Sequence, residues 1–184
     1  MLSATLKPKP CPTCRQLFMP QRLMQAVCSP VCALKKVRAE KVEERAKVRT
    51  RKEAIKTIPV LIKEAQVAFN AWVRTRDEKQ PCISCGAPPP NLEGLHAGRD
   101  AGHYRSIGSA AHLRFHEDNC HAQCVHCNQW GAGRAVDYRI GLVKRIGLAR
   151  VEVLEADNAV HKWTHDELRA VKATYKQKLK ELKA

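Results

Sequence analysis

Apolar residues fall at three- and four-residue steps through Leu61, Ala65, Ala68, Phe69 and Trp72, a periodicity that predicts a helix with one buried face from about Val60 onward. Phe69 and Trp72 are read as core, and Pro59 separates this helix from the one before it. Between Ala33 and Ile58 stand ten Lys or Arg against four Glu, with no Gly or Pro, which predicts one long basic helix. Its apolar positions, Leu34, Val37, Val48, Ile55 and Ile58, fit a heptad only in part, because Lys41, Glu44 and Arg51 interrupt the seam. A solvated arm is therefore expected and not a coiled coil; it either tracks DNA or is simply a charged face in water. Val136 to Glu155 repeats with helical period, and Thr164 with Glu167 forms a capping box that starts a last basic helix running through Leu182. Pro88-Pro89-Pro90 reads as a short stiff loop.

Composition sharpens this picture. With 184 residues the chain has room for one domain or two small ones, and only 5% are aromatic while 28% are charged, so the core must be small. Nine cysteines supply other means of holding the fold. The N-terminal MLSATLKPKP has no apolar run to carry export, so a reducing cytoplasmic location is expected, where paired cysteines point to metal and not to disulfides. No stretch approaches ~20 consecutive apolar residues, and no membrane partner is expected. The net charge of +15 makes a polyanion the natural partner, because neutralised phosphates release condensed counterions.

The cysteines form two sets. Cys11-Pro-Thr-Cys14 and Cys28-Ser-Pro-Val-Cys32, separated by thirteen residues, read as a four-cysteine zinc knuckle with no open coordination position, hence structural. Cys82-Ile-Ser-Cys85 and Cys124-Val-His-Cys127 form the second set, with thirty-eight residues between the pairs. Cys120 lies outside both and reads as a spare thiol; His126, between ligands, reads as a surface residue.

Between and beside the second pairs lie Asp100-Ala-Gly-His103-Tyr-Arg105, Leu113-Arg-Phe-His-Glu-Asp-Asn119-Cys-His121, and Asn128 directly after Cys127. This order resembles the HNH or ββα-metal nuclease motif, and most closely the junction-resolving endonuclease VII of T-even phages, whose zinc-binding CxxCN places a metal-binding Asn after the last Cys. The resemblance implies His103 as general base, Asn128 as a ligand to a catalytic Mg²⁺ or Mn²⁺, and Asn119 as the residue that holds the loop and orients the His. Related nucleases carry an Asp immediately before that His, where this chain has Gly102. Asp100 is the nearest Asp, but alternation along a regular strand would turn it away from His103 unless a bulge at Gly102 intervenes. Asp100, Glu117, Asp118 or water remain open as the further ligand, and His116 or His121 as contacts to phosphate or metal.

A second resemblance spans nearly the whole chain. The Cys11 to Cys32 set, Phe69-Asn70-Ala71 followed by Arg74 to Asp77, Pro81 to Gly86, Asp100 to Arg105, Leu113 to Phe115, Asn119, His121, Gln123 to Val125, Cys127 to Gln129, Tyr138-Arg139, Arg145 to Gly147, His161 to Thr164 and Tyr175 to Leu179 occur in an order similar to that of the NinG, or Rap, recombination proteins of lambdoid phages. Other members carry a Lys and an Asn where this chain has Trp130 to Arg134.

The resemblance implies a structure-selective, divalent-metal-dependent endodeoxyribonuclease acting on Holliday junctions and D-loops in a bacterial host's cytoplasm, in association with the nucleoid. Phage or host recombination proteins would be its partners, and a homodimer its acting form. The alternatives are a non-catalytic zinc DNA-binding accessory and an HNH nickase of another substrate. The expected fold is mostly α with a small zinc-stapled ββα (HNH-like) core. Its parts are a separate four-cysteine zinc knuckle over 1–32, a basic helical arm over 33–58, the nuclease core over 59–135, and helical DNA-binding support over 136–184.

Overall fold

The computed structural model describes residues 7–89 and 98–184; the first six residues of the N-terminal stretch and the last of the three successive prolines lie outside them. The chain divides into two compact units, 1–56 and 57–184.

In the first unit, strands β1 (Lys9–Pro10) and β2 (Leu17–Phe18) pair antiparallel around the turn that carries Cys11 and Cys14. Helix α1 (Pro30–Ala54) follows. It begins inside the cysteine set and not after it: Ser29 caps it by accepting from the Cys32 N–H at 3.3 Å, and Pro30 occupies the first turn, where a missing N–H costs nothing. Cys32 is the one buried residue along its length, so the basic helix is a solvated arm, as its interrupted heptad implies. It stops at Ala54, four residues before the expected Ile58, because the next helix has already claimed Ile58 and Pro59 for its own first turn.

The second unit is built from α2 (Ile58–Arg76), β3 (Arg99–His103), β4 (Cys120–Cys124), α3 (Ala135–Ile146), α4 (Leu148–Ala156) and α5 (His165–Leu182). The period seen in α2 buries Leu61, Ala65, Phe69, Trp72 and Val73 against Leu168 and Tyr175 of α5, with Ala101, Phe115 and Cys120 closing the cluster. Phe69 meets Tyr175 edge-on, with ring centroids 4.7 Å apart. A second cluster joins α3 and α4 through Tyr138, Leu142, Val151 and Leu154 to Ile83, Ala110 and Leu113. The capping box of α5 is present in both halves: Thr164 Oγ1 accepts from the Glu167 N–H at 3.3 Å, and Glu167 accepts from the Thr164 N–H at 2.8 Å.

One expectation is corrected. Val136 to Glu155 is two helices, split at Gly147, whose φ of +86° is open to glycine and strained for other residues. β3 and β4 pair across a connection, Tyr104 to Asn119, that carries 3₁₀ turns at Ala111–Leu113 and Glu117–Asn119. The segment after Cys124 is a π-helical turn, His126–Trp130, and regular α-helix resumes only at Ala135. Thus the fold is mostly helical, with two small antiparallel sheets and two cysteine tetrads.

A buried polar junction ties α2 to β4. Arg76 donates to both oxygens of Asp77 and to the carbonyls of Glu117 and Cys120, while Asp77 also accepts from the Ala122 N–H at 2.9 Å. Burial works against the Asp77 carboxylate, but Arg76 and the Ala122 amide outweigh it and hold the group well below the usual carboxylate range. His121 is buried here: its Nδ1 accepts from Arg76 at 3.0 Å, which leaves Nε2 to donate to the Asp118 carbonyl at 3.2 Å.

Candidate metal centres and active site

In each tetrad, Cys11, Cys14, Cys28, Cys32 and Cys82, Cys85, Cys124, Cys127, the four sulfurs lie within 4.8 Å of one another. The Cys85 and Cys124 sulfurs are 3.8 Å apart, and Cys28 lies 3.5 Å from both Cys14 and Cys32. A tetrahedral zinc–thiolate centre with Zn–S near 2.3 Å needs sulfur–sulfur edges of about 3.8 Å, so both cages have the dimensions for zinc.

Both knuckles use the same turn. The Cys82 carbonyl accepts from the Gly86 N–H, and the Cys11 carbonyl from the Arg15 N–H. Gly86 takes φ +71° at that position; Arg15 takes φ +62° despite its side chain. Backbone N–H groups also point at sulfur, Cys124 N to Cys82 Sγ at 3.3 Å and Cys127 N to Cys124 Sγ at 3.4 Å. Burial opposes the Cys82 thiolate, yet the amides of Cys85, Cys124 and Ser84 bring its pKa down to about 7. Cys11 is lowered to about 6 by the same balance.

The second tetrad clamps β4 and the π-turn to the Cys82–Cys85 loop, and this places Asn128 over β3. Its amide donates to Asp100 Oδ2 at 2.8 Å, and the Gln129 amide donates to the same oxygen at 2.8 Å. Asp100 and Asn128, twenty-eight residues apart, are thus brought into contact. Gln129, the neighbour of an already singled-out residue, was not anticipated.

His103 is placed differently. The β3–β4 register runs without interruption from Arg99 opposite Cys124 to His103 opposite Cys120, so there is no bulge at Gly102, and Asp100 and His103 project to opposite faces. Gly102 is small for another reason: a methyl group there would lie 2.2 Å from Gln123 Oε1. The His103 ring lies 6.3 Å from Phe69. Its Nε2 meets the Arg114 carbonyl at 2.9 Å; a carbonyl only accepts, so Nε2 carries the proton and Nδ1 the lone pair. Nδ1 faces the Cys120 sulfur at 3.9 Å. Cys120 is fully buried, which keeps it a thiol.

Asn119, also fully buried, holds the β3–β4 connection. Its oxygen accepts from the Arg105 N–H at 2.8 Å, and its amide donates to the carbonyls of Arg105 at 3.0 Å and Leu113 at 3.1 Å. It thereby anchors the residue before Arg114, whose carbonyl orients His103.

The other candidates stand apart from Asp100. Glu117 accepts from Lys178 and from the Tyr175 hydroxyl, and Asp118 from Arg150. His116 is exposed and accepts from the Asp118 N–H, and His126 is exposed beside Cys127. Trp130 ends the π-turn 81% exposed. Asp100 and Asn128 form a hard-oxygen pair that suits Mg²⁺ or Mn²⁺ once the amide turns its oxygen inward, water completing the shell.

These features define a small basic protein organised around two cysteine cages of zinc dimensions. The family described as "Bacteriophage Lambda NinG protein" matches residues 3–184, and the chain belongs to this NinG family. It is 42% identical over 189 residues to Protein ninG of Salmonella phage P22, covering 92% of this chain and 90% of that one. Protein ninG of Escherichia phage lambda is 41% identical with the same coverage, and that of Escherichia phage 933W is 47% identical over 74% of this chain and 65% of the relative. No solved structure matches the chain. Among the described residues, no helix is long and apolar enough to cross a membrane.

Proposed function

We propose that the protein is a divalent-metal-dependent endodeoxyribonuclease whose site is Asp100 and Asn128 for the ion and His103 for the proton. The observation that carries this reading is the Asp100–Asn128 contact, made between β3 and the turn that begins at the cage's Cys127. A Mg²⁺ or Mn²⁺ ion there supplies charge neutralisation on a phosphodiester. His103, neutral and anchored through Nε2, keeps Nδ1 free to accept a proton from water once the Cys120 thiol yields its place. The net charge of +15 and the solvated α1 support DNA as the substrate, and the sequence resemblance supports branched intermediates within that class. Symmetrical resolution of a four-way junction takes two sites, so the acting form is a homodimer.

One observation favours a second reading, a non-catalytic zinc scaffold that binds junctions for other recombination proteins: His103 and Asp100 project from opposite faces of β3. The deciding assay compares a labelled four-way junction with linear duplex of the same sequence, using zinc-loaded protein with Mg²⁺, with Mn²⁺ or with neither. Wild type is expected to cut the junction only with the ion, and Asp100→Asn and His103→Ala to lose roughly 10²-fold or more in rate while still binding. If wild type binds the junction and cuts under no ion, the scaffold reading replaces the nuclease.

A further inference from the structure

Most half-buried cations of the second unit are matched by a carboxylate: Arg76 and Arg145 by Asp77, Arg139 by Glu155, Lys172 by Glu64, Lys178 by Glu117. Arg99 and Arg105 instead donate to backbone carbonyls. Two guanidinium groups fall outside both patterns. Arg74, half-buried on α2, forms no ion pair or hydrogen bond among the described residues, although it is close enough to Asp100 to feel its charge. Asp100 makes no hydrogen bond to it; that carboxylate instead accepts from the Asn128 and Gln129 amides, both on Oδ2. Arg114 has a single contact, Nη1 to Gln66 Oε1 at 3.3 Å, and its Nε is buried without an acceptor.

Both adjoin α2 and the strand that carries His103. Arg114 presents its carbonyl to His103 and its guanidinium to Gln66 of α2, while Arg74 stands about two turns further along α2, near Asp100 of the same strand as His103. Between them α2 displays a polar edge. Gln66, Asn70 and Arg74 stand on successive turns, and Gln66 donates to Asn70 at 2.6 Å. Burial disfavours both guanidinium charges; Asp100 offsets this only in part at Arg74, and no carboxylate among the described residues pairs with Arg114.

We propose that Arg74 and Arg114 form a two-cation cradle for a backbone phosphate of DNA beside His103, with Gln66 and Asn70 as its polar floor. Guanidinium groups suit this ligand: their planar donor forks match phosphate oxygens in pairs, and they stay charged at any working pH. The cradle rests on the nuclease reading for its purpose, and it places the phosphate on the His103 face of β3 instead of directly over Asp100.

The test has two arms. In the first, inorganic phosphate is titrated into zinc-loaded, Mg²⁺-free protein at fixed pH, and the His103 ring resonances are followed by NMR. Saturable shifts are expected in wild type, retained in Arg74→Lys/Arg114→Lys and absent in Arg74→Gln/Arg114→Gln. In the second arm, junction cleavage by the same proteins is expected to fall at least roughly tenfold in the Gln pair, with the Lys pair intermediate. Zinc content and near-ultraviolet circular dichroism report folding; should the Gln pair fail to fold, wild type and the Lys pair still decide. His103 shifts that are missing in wild type, or that persist in a folded Gln pair, overturn the cradle even if the enzyme cuts. Phosphate-dependent shifts that need the arginines, in a protein that never cuts, keep the anion site and remove only the nuclease reading.

Discussion

His103 Nε2 donates to the Arg114 carbonyl oxygen at 2.9 Å, so one peptide group sets which nitrogen of the ring can act as a base. Burial lowers the His103 pKa below its ordinary 6.5, against the opposing pull of that carbonyl. A base works in its neutral form, so cleavage should rise with pH and reach half its plateau below 6.5. The pH–rate profile at saturating Mg²⁺ checks this; a rate still climbing tenfold per unit through about pH 7.5 excludes His103 as the base.

Asn128→Ala removes one of the two amides on Asp100 without touching a core cluster. Folding and zinc content should match wild type, while Mn²⁺ affinity, measured by electron paramagnetic resonance, should fall by about 10- to 100-fold or more. Unchanged Mn²⁺ binding would place the ion elsewhere.

Asp77→Asn leaves Arg76 and Arg145 facing a neutral group in a buried junction, and a loss of about 3–5 kcal/mol is expected in urea unfolding. The pH dependence follows from the depressed folded pKa. The contribution is fully present above the ordinary 3.8 of the unfolded chain and is lost as pH falls below it towards the folded value. The difference between wild type and variant isolates this effect, because thiolate protonation weakens both proteins alike. That difference should stay constant from roughly pH 7 to 5 and shrink below 4.

Gly141→Ala tests how closely α3 lies against the Cys82–Cys85 loop. A methyl there would fall 1.8 Å from the Ile83 carbonyl oxygen, a backbone atom that cannot swing aside. Overpacking of this kind costs about 1–3 kcal/mol or more, and zinc content by atomic absorption should fall with it. A variant as stable as wild type would mean that helix and loop separate freely.

Local signals were readable from the chain and long-range ones were not. Thr164 and Glu167 meet across one turn, and each cysteine pair sits within four residues, so the capping box and the tetrads follow from spacing. The split at Gly147 was hidden because the apolar period continues through it, and only the left-handed φ shows the break. Strand alternation correctly set Asp100 and His103 on opposite faces; the β3–β4 register runs through Gly102 without a bulge, and the glycine there makes room for the Gln123 side chain of the neighbouring strand. The Asp77 junction and the unmatched Arg74 and Arg114 depend on partners, or their absence, forty or more residues away, which no periodicity encodes.

Cys85 is the exposed member of its tetrad, and the others are buried or half-buried. An oxidant therefore meets the cage first at the sulfur farthest from shelter. Losing that ligand is expected to loosen the hold on Cys127, the neighbour of Asn128, while the Ile83–Ala122 and Ser84–Gln123 hydrogen bonds still tie the loop to β4. Zinc retention is therefore expected to fall on peroxide treatment through a sulfur that lies outside the Asp100–Asn128 pair.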